Sequence, residues 1–514
     1  MVMTRKRFNT YCYGICAALC MFINGFDASV FNNLQGISRF MEDMDLHQNA
    51  IEDQNLIGAV TSSYMAATIV AGLFISPFIT HYLGRRASIF SGCIVVIVAS
   101  LIQIIFCFIN NISFTNLAFI GGRIVLGIGQ GIALPAGPVF MSEITPPQIR
   151  GRMLSFWQMM YSVGALVTSY SALGLQRSDY LGDWQWKTIT LIQAVIPLIC
   201  AVCIFLCPES PRWLVQKGKD DKARRAIARV REPEEVELEL QEIKAAIDWE
   251  EKNTSNSLKD LWVDKSILRR LILGMVINFG QQITGQSMMN NYSTKVYSSV
   301  FTDDSTILLI NALNYTFGIL FTLTCTFLSD RMGRTTMLVI AGIGQGVMLL
   351  IAATVYVTTP NILADDGTIS KTTGVGAALV LSLFLFTFFY KPGWGATVWI
   401  YSSEIFPMSV RGTAVSICTN TQNVSNLVMA QAFPPMFIAM GFYALYVWMG
   451  VNFVLAVIVW RFYPETKVTN YSFFIFLKGV PLEEMDQLFG GADKVAVVHQ
   501  DHKDDFSYKD EKTA

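Results

Sequence analysis

The 514-residue sequence predicts an all-α membrane protein of twelve transmembrane helices, arranged as two pseudo-symmetric six-helix halves. Three observations carry that prediction: scarce charge, recurrent apolar runs, and signatures that occur twice in one order. Only 15% of the residues are charged and 52% are hydrophobic, whereas soluble chains carry about a quarter charged residues. Runs such as 89–109 and 375–389 recur along the chain, and about 18 or more apolar residues can cross a bilayer as a helix.

Breaking the apolar windows at charges and turn residues places the spans in order. The first half has them at 11–31, 56–79, 88–109, 117–139, 154–174 and 188–206. The second half has them at 271–292, 306–328, 337–357, 375–401, 414–438 and 443–462. The short basic stretch before the first span lacks a small-residue cleavage site after its apolar core, so it reads as a span and not a removed signal. Arg5, Lys6, Arg7, Arg85, Arg86, Arg150, Arg152, Arg331, Arg334 and Arg411 fall on one side, while the first opposite loop is acidic. The excess of positive charge on inner loops puts both termini in the cytoplasm, in a multi-pass protein expected in the plasma membrane.

The chain divides into a first half at 1–207, a cytoplasmic linker at 208–269, a second half at 270–465 and a cytoplasmic tail at 466–514, polar after Asp493. In the linker, Val236, Leu240, Ile243 and Ile247 follow helical spacing, which predicts short amphipathic helices at the membrane face. The net charge of −1 gives no reason to expect nucleic acid as a partner. Ten cysteines show no metal spacing, and Cys12, Cys16 and Cys20 read as small packing residues. No nucleophile with a base, phosphate loop or metal cluster points to an enzyme. No cofactor is expected beyond protons, and the functional unit is expected to be a monomer.

Internal repetition explains the halves. Gly84-Arg85-Arg86 matches Gly333-Arg334, Ser142-Glu143-Ile144 with Arg150-Gly151 matches Ser403-Glu404-Ile405 with Arg411-Gly412, and Pro208-Glu209-Ser210 matches Pro464-Glu465-Thr466. The separations are 249, 261 and 256 residues. Two such halves rock about a midplane site in transporters. Arg85, Glu143, Arg150, Glu209, Arg334, Glu404, Arg411 and Glu465 are therefore expected as a cytoplasmic gate, whose ion pairs latch the halves when the inner side is closed. The alternative is that the arginines only satisfy topology.

These motifs resemble the sugar porter family of the major facilitator superfamily, over roughly residues 10–490. Pro208-Glu-Ser-Pro-Arg-Trp-Leu214, Gly122-Arg123 through Gly127, Gly129 and Gly131 to Glu143, Gln281-Gln282 with Gly285, Asp330-Arg-Met-Gly-Arg334 and Pro464-Glu-Thr-Lys467 carry it. The surroundings of Asp27 look most like fungal monosaccharide transporters. The resemblance implies the major facilitator fold and uptake of a hexose or pentose by alternating access, with proton symport through Asp27 and Arg123. A permanent Asp27–Arg123 salt bridge in a facilitator is the other reading. For the sugar it implies Gln158, Gln281, Gln282, Ser287, Trp399, Gln422 and Asn426, groups that donate, accept or stack. Interhelical glue is the alternative role for these amides.

Three departures affect the substrate. Ser287 stands where the family usually has asparagine, Asn291 stands where it has tyrosine, and Gly318 stands where the eighth helix carries an asparagine, with Asn311 and Asn314 a turn or two earlier. These leave a pentose, polyol or sugar acid open. A quinate or other organic-acid porter would want an additional cation in the cavity, and none stands out in the sequence. A non-transporting nutrient receptor, the reading from another class, usually has a longer tail. His81 replaces the aspartate expected in the loop between the second and third spans, and could tie inner closure to pH.

Val468 to Lys478 interrupts a motif that its deletion would make continuous. It reads either as a retained intron or as an inserted apolar segment resting on the inner leaflet; transcript sequencing separates the two.

Overall fold

A computed structural model describes residues 5–45, 51–105, 112–182, 184–253, 262, 264–301, 303–329, 332–360, 362–363, 369–406 and 410–465. Val468 to Lys478, the tail, Asp330 and Arg331 lie outside the described residues, as do the side chains of Arg150, Arg152 and Arg411.

The first half contains α1 (Arg5–Leu34), a short α2 (Ser38–Asp43), α3 (Ile51–Val70), α4 (Ser76–Tyr82), α5 (Arg85–Ile105), α6 (Ile112–Ile144), α7 (Pro147–Gln176) and α8 (Trp184–Leu206). A π-helical turn, Ala71–Ile75, joins α3 to α4 into one span. The connecting segment forms α9 (Pro211–Gln216), α10 (Asp220–Ile227) and α11 (Val236–Asn253). The second half contains α12 (Lys265–Ile283), α13 (Gln286–Ser298), α14 (Asp304–Ser329), α15 (Arg334–Thr358), α16 (Thr373–Tyr390), α17 (Val398–Glu404), α18 (Arg411–Met440) and α19 (Ala444–Phe462). A two-residue hairpin, Ile362–Leu363 with Ile369–Ser370, is the one sheet among the described residues.

The chain is a membrane protein of twelve transmembrane helices. Among the described residues, nine stretches are long and apolar enough to cross by composition. The last, Thr413–Phe462, folds back at Gly441–Tyr443 into α18 and α19. The polar fifth and seventh spans, α7 and α12 with α13, complete the set. The seventh is broken where Gly285 takes the left-handed conformation (φ +104°). Helices interrupted in mid-membrane mark the binding region of such carriers.

Glycines set how closely the first half packs. A Cβ on Gly127 would lie 2.3 Å from Tyr64 O, and one on Gly131 would lie 2.5 Å from Thr68 O. Lipid offers no hydrophobic drive between helices, so small residues let backbones touch and gain dispersion energy. Gly131→Val should therefore push α6 off α3 and cost about 1–3 kcal/mol or more. Loss of the monodisperse peak in size-exclusion chromatography would register it.

The apolar core has a part in each half and a larger part shared between them. Phe31, Phe40, Trp186, Tyr292, Leu308 and Phe433 belong to the shared part. Around it, Asn32 Nδ2 donates to Ser293 Oγ (2.9 Å), Thr294 N donates to Asn32 Oδ1 (3.2 Å), Arg177 Nε donates to Ser305 Oγ (2.8 Å) and Ser62 Oγ donates to Gln431 Oε1 (2.8 Å). These bonds lie toward one end of the molecule, where α1 finishes and α3 and α14 begin. The other end bears Arg85 and Arg334. These four bonds tie the halves together at the end far from those arginines.

Candidate transport site

The doubled motifs at the arginine-rich end build one device twice. Glu209 Oε1 accepts from Arg85 N (3.1 Å) and Arg86 N (3.1 Å), capping α5 from a distant part of the chain. Glu465 accepts from Arg334 N (2.7 Å) and Thr335 N (3.0 Å), capping α15 in the same way. Each caps free N–H groups at the positive end of a helix. The glycine before each arginine makes room. A Cβ on Gly84, at φ +101°, would lie 2.5 Å from Glu209 Oε2, and one on Gly333 would lie 2.1 Å from Glu465 Oε2. Burial raises the Glu209 carboxyl above its ordinary range, against the pull of the backbone N–H groups.

The arginine side chains reach the other glutamates. Arg85 meets Glu143 at 3.1 Å, and Ser210 Oγ adds a 2.5 Å bond to the same carboxylate. Arg334 meets Glu404 at 3.0 Å. Both pairs lie within a half. These two pairs join helices of one half, α5 with α6 and α15 with α17, and so are not themselves the latch expected between the halves when the inner side is closed. His81 is part of the same surface, where its carbonyl accepts from Trp213 Nε1 (2.9 Å) and its ring lies 3.3 Å from Lys217 Nζ.

Deep in the first half, Asp27 is fully buried. Gln130 Nε2 donates to one carboxylate oxygen (2.6 Å) and Gln193 Nε2 to the other (2.8 Å). Arg123, also buried, turns its Nη1 to the backbone carbonyl of Asp27 (3.3 Å). Its guanidinium lies over the rings of Tyr64 (4.9 Å) and Phe31 (5.6 Å). The expected Asp27–Arg123 side-chain salt bridge is thus corrected: two neutral amides serve the carboxylate, and the cation rests on a carbonyl and two aromatic faces. Gln193 Oε1 has no partner, so this amide could accept from a protonated carboxyl by turning over.

In the second half the broken span presents its amides to the π-helical segment Lys391–Thr397, which joins α16 to α17. Gln281 Nε2 donates to Trp394 O (2.8 Å) and Gly395 O (3.2 Å). Across the break, Ser287 Oγ donates to Asn426 Oδ1 (2.6 Å) and accepts from Asn291 Nδ2 (3.2 Å). Gln422 stands one helical turn before Asn426 on α18. The oxygens of Gln281, Gln282 and Gln422 are buried without partners. An unmet buried amide costs about 1–3 kcal/mol, which a polar ligand or water would recover. π segments recur at functional sites because they shift the register of the residues after them. Here Lys391, Gly395 and Trp399 follow one another at four-residue steps, and the Gly395 carbonyl meets Gln281.

The chain belongs to the sugar (and other) transporter family. Its family model matches residues 13–489. A high-affinity glucose transporter of Kluyveromyces lactis is 29% identical over 499 residues, covering 94% of this chain and 85% of the relative. A probable quinate permease of Aspergillus niger is 26% identical over 503 residues, covering 93% and 88%. The inward-open xylose transporter XylE from E. coli superposes with a TM-score of 0.74 at 21% identity, over 93% of this chain and 99% of XylE. The XylE proton:xylose symporter bound to 6-bromo-6-deoxy-D-glucose gives 0.71 at 21% identity, over the same shares. At these identities the solved structures establish the major facilitator fold. The family consists of transporters, and the chain is no enzyme.

Within this family frame, Gln281, Gln282, Ser287, Gln422 and Asn426 gather around the broken seventh span, and Trp399 lies half-buried below the π segment. Gln158 is exposed on α7 in the other half. Asn311 is taken up by Ser293 (2.7 Å) and Thr294 (2.8 Å), which makes it a strut between α13 and α14, while Asn314 Oδ1 is buried and unpartnered. Sequence reasoning missed Gln130, Gln193 and Lys391. The glutamines sit in otherwise apolar helices, a signal that was present but had no partner to give it meaning.

Proposed function

We propose that this transporter carries a monosaccharide, or a polyhydroxylated molecule of that size, by alternating access coupled to a proton. The observation that carries this reading is Asp27: a carboxyl buried in mid-membrane, held by two amides and adjacent to a guanidinium that rests on the Asp27 carbonyl and two aromatic rings. Intramembrane ionisable groups are costly and mark ion or proton paths. Loss or gain of one proton at Asp27 changes its attraction for Arg123, and so biases the equilibrium between states. The amides and tryptophan of the second half suit hydroxyls and a ring face, and the glucose and quinate relatives support a substrate of that size.

In this reading the arginine-rich end is cytoplasmic, both termini lie inside, and the protein works as a monomer in the plasma membrane. The paired glutamates and arginines then stiffen each half so that it moves as a body. The connecting segment touches the first half between α10 and α11, where Arg231 Nη1 donates to Ile144 O (3.2 Å) and Lys6 meets Glu232 at 3.4 Å.

The test is uptake in a sugar-transport-deficient yeast of labelled glucose, xylose, arabinose, a polyol and quinate, with external pH recorded. Uptake with alkalinisation is the expected result. Uptake insensitive to an uncoupler would make the protein a facilitator, and no uptake with protein at the surface would favour a receptor. Gln281→Ala should raise the KM of the accepted substrate about 10-fold, from the loss of one or two hydrogen bonds, with a smaller change in maximal rate.

A further inference from the structure

The second-half site carries positive charge with no carboxylate to balance it. Lys391 stands 17 residues from one end of its span, Gly374–Ser402, and 11 from the other. Helical rise puts the nearer end about 16 Å away, too far for a lysine to snorkel. Its ammonium makes no hydrogen bond or ion pair among the described residues. The carboxylates of this half, Asp303, Asp304, Asp330, Asp365, Asp366, Glu404 and Glu465, all fall at span ends or in connections. Glu404 is held by Arg334 and Asp304 by Ser38. A second lysine, Lys295 on α13, has its Nζ buried without a partner, eight residues beyond Ser287 toward the far end. In the first half, Asp27 and Arg123 offset one another.

The lysine is also accommodated. A Cβ on Gly318 of α14 would lie 3.3 Å from Lys391 Cε and 3.9 Å from its Nζ. An asparagine at position 318, which the family resemblance leads one to expect, would take the space that the lysine stem fills. The site has exchanged a neutral amide on α14 for a cation from the neighbouring π segment. That cation shares a helix face with Gly395, whose carbonyl Gln281 holds, and with Trp399. Two turns of α-helix make about 7.2 residues, and the π insertion adds one, so Lys391 and Trp399 stack along that face.

We propose that Lys391 is a specificity-determining residue that binds the carboxylate of the substrate. The preferred cargo is then a polyhydroxylated monocarboxylate, such as a sugar acid or a cyclic polyol acid, and not a neutral sugar. An ammonium left unpaired in a low-dielectric site is costly, and a bound carboxylate removes that cost while its hydroxyls meet the free amide oxygens. This rests on the transport reading above and narrows its substrate.

Purified full-length protein in proteoliposomes separates the two ideas. Counterflow is measured with galacturonate, quinate and galactose at equal concentration. The wild type should favour at least one acid over galactose by about 10- to 100-fold, the range of a charge-assisted bond. Lys391→Met should collapse that ratio to near one, and Lys391→Arg should retain most of it, so a folding defect cannot imitate the result. Galactose transport exceeding that of both acids, or a ratio unchanged in Lys391→Met, overturns the proposal and leaves the transport reading standing. Transport of none of the three by monodisperse wild type overturns both.

Discussion

Asp27→Asn is expected to abolish accumulation against a gradient while leaving downhill exchange measurable. In the structure this carboxyl receives Gln130 at 2.6 Å and Gln193 at 2.8 Å. Asparagine keeps the size and can still face both amides, so folding should survive. It cannot gain or lose a proton, so the tie between proton and substrate is cut. Under an imposed gradient of about two pH units, one proton per substrate sustains up to about 100-fold accumulation. The variant should reach a ratio near one in proteoliposomes, and its counterflow should no longer respond to external pH. Accumulation by the variant equal to that of the wild type would remove Asp27 from the coupling path.

The second large effect is on stability. Glu465→Ala should uncap α15, because the buried carboxylate is the acceptor for both Arg334 N and Thr335 N. Two hydrogen bonds to a charged group contribute about 1.5–3 kcal/mol each, and the exposed helix dipole adds to the loss. A cost of about 3–5 kcal/mol corresponds to a fall of roughly 10 °C in unfolding temperature for a unit the size of one half. Gly333→Ala should have a similar effect by displacing the carboxylate, given the 2.1 Å approach. Thermal unfolding of purified protein measures both. Glu465→Gln, which keeps an acceptor oxygen but loses the charge, should fall between wild type and Glu465→Ala.

These two residues differ in how legible they were. The match of Pro208-Glu209-Ser210 with Pro464-Glu465-Thr466 announced a repeated device, yet a local motif names no partner 124 or 131 residues away. A gate between halves and a cap within each half both satisfy the same pattern of glutamates and arginines. Only the tertiary placement of Glu143 beside Arg85, and of Glu404 beside Arg334, each within one half, separates them. The same holds for Asp27 and Arg123. Opposite charges in neighbouring spans suggest a salt bridge, but two glutamines from α6 and α8 reach the carboxylate first.

The sequence by itself determined the membrane class, the twelve spans, the twofold repeat and the family, because these depend on composition, local periodicity and motif order. It also named most of the amides around the seventh span. Tertiary structure decided where that span breaks and which buried groups meet. Lys391 shows the reason most plainly. In the sequence it is a single cation in a long apolar run, and the missing amide at Gly318 is 73 residues away. Helix packing brings the two together, and a lysine's role depends on what lies within about 4 Å of its ammonium.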